Sequence, residues 1–120
     1  MSNTAPGSVL SQVDCFRGIP VMVITGRLDT ISAPLFDEKA SPVLAEAHGN
    51  ILLDFSGLTY LSSAGLRSIL RIIKHTAACG GRTGIIAVPS HILELIELSG
   101  FQSLLDIYAD RETALEGCAA

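Results

Sequence analysis

Apolar residues along this chain alternate between two periods. Strands are expected over residues 19–25, rich in β-branched residues, and over 51–55 and 82–88, whose stretches 51–53 and 85–88 are continuous apolar runs, the pattern of strands covered on both faces. Between them the apolar positions recur at helical spacing: Phe36, Ala40, Val43, Leu44 and Ala47; then Leu66, Ile69, Leu70 and Ile73; then Ile92, Leu93 and Ile96. A weaker strand is expected over residues 9–16 and a short one over 104–108. Asp110 is placed to cap a last helix over 111–117. The punctuation fits. Arg17-Gly18 is a turn that makes the first two strands a hairpin, and Gly26-Arg27-Leu28-Asp29 is expected as a loop. Ser32 can cap the first helix, with Pro34 in its first turn; Pro42 should kink or split that helix, and His48-Gly49-Asn50 should stop it. Ser56-Gly57 is expected to end the third strand. Ser62 or Ser63 then starts a helix to about His75, which Cys79-Gly80-Gly81 terminates. Pro89-Ser90 opens the third helix and Gly100 closes it.

The order β-β-α-β-α-β-α-β-α defines an α/β fold: a mixed, mostly parallel sheet of about five strands with about four helices. We expect a flexible tail over residues 1–8 and a single domain over 9–120. At 120 residues and 48% hydrophobic, the chain can bury a core, with a radius of gyration of roughly 14 Å. Global disorder is excluded.

Charge and composition narrow the partners. The formal net charge of −4 disfavours nucleic acid and anionic membrane surfaces. With no Trp, two Tyr and four Phe, a base-stacking platform is also disfavoured. No apolar run approaches the roughly 20 residues of a membrane span, and residues 1–11 lack the features of a secretory signal. Cys15, Cys79 and Cys118 are odd in number and form no CxxC pair, which points to reduced thiols and a cytoplasmic location.

The segment with most chemical content is residues 51–70, ILLDFSGLTYLSSAGLRSIL. Two serines, Ser62 and Ser63, meet a helix N-terminus, where backbone N–H groups lack partners and the helix dipole is positive. A phosphoryl group added there would be held by those donors. Small Ala64 and Gly65 leave room for another protein. The plainer reading makes Ser62 an N-cap and Ser63 a first-turn filler. Arg67, Arg71 and Lys74 form a basic stripe on the same helix, which a solvated face also explains. Gly65, Ser68 and Ile72 share another face, with Ile72 either an exposed interface anchor or covered by a neighbouring helix. An enzyme finds little support. His48, His75 and His91 stand alone, no HExxH, GxGxxG or GxxxxGK[ST] occurs, and Ser63 lacks a Gly-x-Ser-x-Gly context. No catalytic residue, metal or cofactor is expected.

Together, the element order, Gly26-Arg27-Leu28-Asp29, the run Ile51-Leu52-Leu53-Asp54-Phe55-Ser56-Gly57-Leu58 and Leu61-Ser62-Ser63-Ala64-Gly65-Leu66 resemble the STAS domain of bacterial anti-sigma factor antagonists. The resemblance covers roughly residues 9–117. It implies phosphorylation at Ser63, two positions before the glycine, with Ser62 the second choice; Ser62 stands where the family often has Asp. It also implies partner switching. The unphosphorylated protein binds a GHKL-type serine kinase that is also an anti-sigma factor and frees that kinase's client. Phosphorylation ends the complex, and a PP2C-type phosphatase resets it. Asp29, Thr30, Ser62, Ala64, Gly65, Arg67, Ser68 and Ile72 are then candidate partner contacts. Asp54 and Ser56 are candidates for shaping the loop below the site. STAS-like domains also serve as accessory subunits of lipid ABC transporters, as parts of anion transporters and as stressosome-type scaffolds; the absence of a membrane span argues against the anion-transporter role.

Overall fold

In the computed structural model, residues 10–47 and 49–119 are described. The expected tail, the start of the first strand at Val9, His48 and the Cys118 side chain lie outside what is described. β1 (Leu10–Phe16) and β2 (Ile19–Leu28) form the expected hairpin. Its two-residue turn has both Arg17 (φ 54°) and Gly18 (φ 83°) in the left-handed region, the geometry that matches strand twist in a tight hairpin. After α1 (Ala33–Glu46), the chain alternates through β3 (Ile51–Leu61), α2 (Ser63–Ala78), β4 (Thr83–Ile86), α3 (Ser90–Ser99), β5 (Leu105–Tyr108) and α4 (Arg111–Ala119), with one 3-10 turn at Gln102–Leu104. The strands lie in chain order, β1-β2-β3-β4-β5; β1 is antiparallel to β2 and every other pair is parallel. The radius of gyration is 13.2 Å, close to the expected value.

Strand alternation sends side chains to two unequal layers. On one face Met22, Ile24, Ile51, Leu53, Phe55 and Ile85 pack against Phe36 and Ala40 of α1, Ile69, Ile72 and Ile73 of α2, and Ile92 and Ile96 of α3. On the other, Val21, Leu52 and Ile86 meet Ala114 of α4. Three helices therefore cover one face and a single short helix the other.

Several expected boundaries shift. β2 and β3 do not end at Gly26 and Ser56-Gly57. They run on, paired in parallel, to Leu28 and Leu61, with register shifts between Val23 and Thr25 and between Gly26 and Arg27. Each shift places an extra β3 residue against β2, so the glycine and polar residues that read as turns are bulges in a continuing ladder. Gly57 is required by close approach: a Cβ there would lie 2.7 Å from Thr25 Cγ2. β4 is shorter than expected because Ala87 turns into the left-handed region (φ 54°) while its N–H bonds Tyr108 O (2.9 Å). Pro42 does not split α1, which is continuous from Ala33 to Glu46. Gly100, left-handed at φ 79°, closes α3 as expected.

Candidate functional site

The extension of β3 brings the strand to within one residue of α2. Leu61 ends the strand, Ser62 is the N-cap with extended backbone (φ −96°, ψ 176°), and Ser63 is the first helical residue. Ser62 is fixed at both ends. Its N–H donates to Leu28 O at the end of β2 (3.0 Å), and its hydroxyl oxygen accepts from Gly65 N (3.2 Å). Ser63 is exposed, and its hydroxyl bonds to no described residue. The two serines thus differ: one hydroxyl is half-buried and engaged as a cap, the other is free in solvent at the positive end of a 16-residue helix.

Gly65 is buried, and its missing side chain serves the fold. An added Cβ would stand 2.6 Å from Leu28 O and 2.7 Å from Leu61 Cδ1. The room expected for another protein is taken by the chain's own β2. Ile72, expected as a possible exposed anchor, is 1% exposed, and Ser68 is 2% exposed. The Gly65–Ser68–Ile72 face is interior: Gly65 lies against Leu28 and Leu61, Ile72 belongs to the core, and Ser68, nearly buried, sits at the floor of the depression between α1 and α2. Ala64 is half-buried, and Arg67 and Thr30 are exposed. Thr30, Ala64 and Arg67 line one shallow depression of about 150 Å³ between the β2–α1 loop and α2, together with Asp37 and Arg71, which pair at 3.1 Å.

Asp29 organises the loop into α1. Its Oδ1 accepts from Ile31 N (3.1 Å) and Ser32 N (3.0 Å), while Oδ2 faces Arg27 Nε at 3.3 Å. The Ser32 N–H, then the Ser32 hydroxyl, the Ile31 N–H and Arg27, outweigh desolvation and hold the Asp29 carboxyl below its ordinary value. Ser32 sits at the N-cap position of α1 but does not cap with its side chain. Its hydroxyl donates to Arg27 O (2.7 Å) and accepts from Asp29 N (2.9 Å), tying the loop back to β2. The loop displays Ile31, 81% exposed, and leads to Leu35, 56% exposed. Arg27 also stacks on the Tyr60 ring, 4.1 Å from its centroid.

Asp54 and Ser56 do not lie beneath the serine site. Asp54 Oδ1 accepts from Ser56 N (3.0 Å) and Ser56 Oγ (2.8 Å), which shapes the β3 bulge. Its Oδ2 faces Arg111 Nη2 at 3.2 Å, on the α4 side of the sheet, opposite α2. Arg111 Nη1 bonds Asp14 Oδ2 at 2.8 Å, so one guanidinium of α4 clamps β1 and β3 across β2. Burial pushes the Asp54 carboxyl up, but the Ser56 donors and Arg111 outweigh it; Gln12 and Arg111 likewise hold Asp14 down. The sequence marks Arg111 only as a helix start. Its partners stand 97 and 57 residues away, and no local pattern announces them. His91, which looked isolated, has Nε2 3.0 Å from Thr59 O and fastens α3 to β3.

A sheet with one antiparallel edge strand, three helices on one face and one on the other defines a distinct class of small α/β domains. Comparison with known families specifies it: the STAS domain family model matches residues 11–114, and the chain belongs to that family. Its relatives include the anti-sigma-F factor antagonist RsfB of Mycobacterium tuberculosis, 27% identical over 114 residues that cover 95% of this chain and 93% of RsfB. Among solved structures, an anti-sigma factor antagonist from Mycobacterium paratuberculosis superposes with a TM-score of 0.86 at 23% identity, covering 98% of this chain and all of that one. The Bacillus cell fate determinant SpoIIAA in its phosphorylated form gives 0.69 at 22% identity, covering 88% of this chain and 96% of SpoIIAA. These low-identity superpositions establish the fold.

Proposed function

We propose that this protein is an anti-sigma factor antagonist that works by partner switching, with Ser63 as its phosphorylation site. The observation that carries the reading is the exposed, unengaged Ser63 hydroxyl at the first position of α2, beside a second serine already committed as the cap. The anti-sigma factor antagonists among its relatives, and the phosphorylated form of one fold neighbour, support the same reading.

In its unphosphorylated form the chain docks, in the cytoplasm, on a GHKL-type serine kinase that is also an anti-sigma factor, and frees that kinase's client. Contact centres on Ser63 and Ala64, the exposed Thr30 and Arg67, and the loop that Asp29 holds. The kinase supplies nucleotide and transfers phosphate to Ser63 Oγ; a PP2C-type phosphatase removes it. The release follows from charge. A phosphate adds about −1.5 to −2 charges, and taking that charge out of water at an interface costs several kcal/mol, where each 1.4 kcal/mol is tenfold in affinity. No rearrangement of the sheet is needed.

The test is phosphopeptide mass spectrometry after incubation with the cognate kinase and ATP, with binding measured on variants. Phosphate should appear on Ser63. Ser63→Ala should keep wild-type affinity, and Ser63→Asp should lose at least about tenfold. Equal affinity of the two variants, or phosphate confined to Ser62, refutes the reading.

A further inference from the structure

We infer that Arg67 is the intramolecular seat of the phosphate on Ser63, so that the modified form carries its charge paired along α2 rather than free at the helix tip. The inference rests on the assignment of Ser63 as the modified residue. Three observations lead to it. First, Ser63 and Arg67 are one turn apart on α2, at i and i+4, with both side chains exposed. Residues so spaced have Cβ atoms about 5–6 Å apart, within reach of a phosphate and a guanidinium, and an acidic group N-terminal to a basic one is the favourable order. Second, Arg67 forms no ion pair with any described residue, whereas the arginines around it are occupied. Arg71, the next basic residue on its stripe, is held by Asp37 of α1 at 3.1 Å, and Arg27 of β2 by Asp29 at 3.3 Å. Asp37 and Asp29, the carboxylates that pair with these neighbouring arginines, are therefore engaged elsewhere, and Arg67 is left with its guanidinium open to a phosphate. Third, Arg67 and Ala64, the residue next to Ser63, line the same open depression beside the helix start, so the Arg67 side chain has free space around it. Arginine, with a planar fork of N–H donors, matches phosphate oxygens two at a time.

The experiment installs phosphoserine at position 63 by codon reassignment in the full chain, so that no cognate kinase is required. The second ionisation of the phosphate is followed by phosphorus NMR against pH. In the parent, its pKa should lie roughly 0.15–0.4 below that in Arg67→Gln, because the guanidinium favours the dianion. Arg67→Lys should keep part of the difference, and Arg71→Gln should match the parent. Coincident titration curves for the parent and Arg67→Gln overturn the inference. So does weaker binding of unphosphorylated Arg67→Gln to the kinase combined with an unshifted phosphate, which would give this arginine to the partner. Failure of the kinase to modify Ser63 would instead count against the proposed function and leave these curves interpretable.

Discussion

Replacing Gly65 with alanine tests how the site is held in place. The Cβ would sit 2.6 Å from Leu28 O, 2.7 Å from Leu61 Cδ1 and 2.9 Å from Leu28 Cγ. Ordinary contact lies near 3.5–4.0 Å, so all three fall short by about 0.6–1.4 Å. The leucine side chains can rotate, but the Leu28 carbonyl cannot: it ends β2 and accepts the Ser62 N–H at 3.0 Å. The first turn of α2 must therefore lift away from β2. Overpacking of this kind costs about 1–3 kcal/mol. Alanine returns up to about 1 kcal/mol in helix propensity, leaving a net loss of about 1–2 kcal/mol. For a domain of this size that is a fall in Tm of roughly 4–10 °C. Urea denaturation should show a lower midpoint at unchanged m, and partner binding should weaken although Ser63 is intact. Gly49→Ala, where nothing lies within 4 Å, is the control and should be near neutral. A Gly65→Ala protein as stable as the parent would show that the helix start is not seated against β2 as described.

Three further outcomes are expected. Ala87→Gly relieves a left-handed alanine, worth roughly 1–2 kcal/mol against a smaller entropic cost of glycine, so thermal unfolding should show a gain of about 0.5–1 kcal/mol; a loss would contradict the φ of 54°. Ser62→Ala removes the cap on Gly65 N and should cost about 1 kcal/mol in urea denaturation, which Ser62→Gly should largely spare. Asp14, Asp29, Asp54 and Asp110 all have folded pKa values below the ordinary carboxylate value near 3.9, so below that pH the unfolded chain binds more protons. Their stabilisation is full above that range and drains away as pH falls through the folded values. Stability measured from pH 6 to pH 3 should fall, and Arg111→Gln should flatten the fall by releasing Asp14 and Asp54; identical acid limbs would refute the clamp.

The order and type of the strands and α-helices could be read from the sequence, but the buried stripe of α2 is turned toward Ile72, with Leu66 and Leu70 only half-buried, and the 3-10 turn at Gln102–Leu104 left no signal. What could not be read depends on neighbours. Gly26 and Ser56-Gly57 carry the local chemistry of turns, and only the parallel pairing of β2 with β3 converts them into bulges and carries both strands to Leu28 and Leu61. The spacing of Gly65, Ser68 and Ile72 left open whether their face is exposed or covered; it is covered, and the missing side chain of Gly65 is what lets α2 approach the end of β2. The serine pair was legible as a helix start, but their division of labour turns on the Leu28 carbonyl, which no spacing rule supplies. The Arg111 clamp is wholly tertiary.

The single-residue junction between β3 and α2 bears on speed. The Ser63 hydroxyl is mounted where a strand passes into a helix through one residue, so the proposed phosphorylation would ask no movement of the scaffold behind it. Under the proposed switch, the pace of exchange would then be set by encounter with the kinase and phosphatase and by their chemistry. The exposed Ile31 and Leu35 beside it could be exchanged to suit a new docking partner while the interior stays as it is.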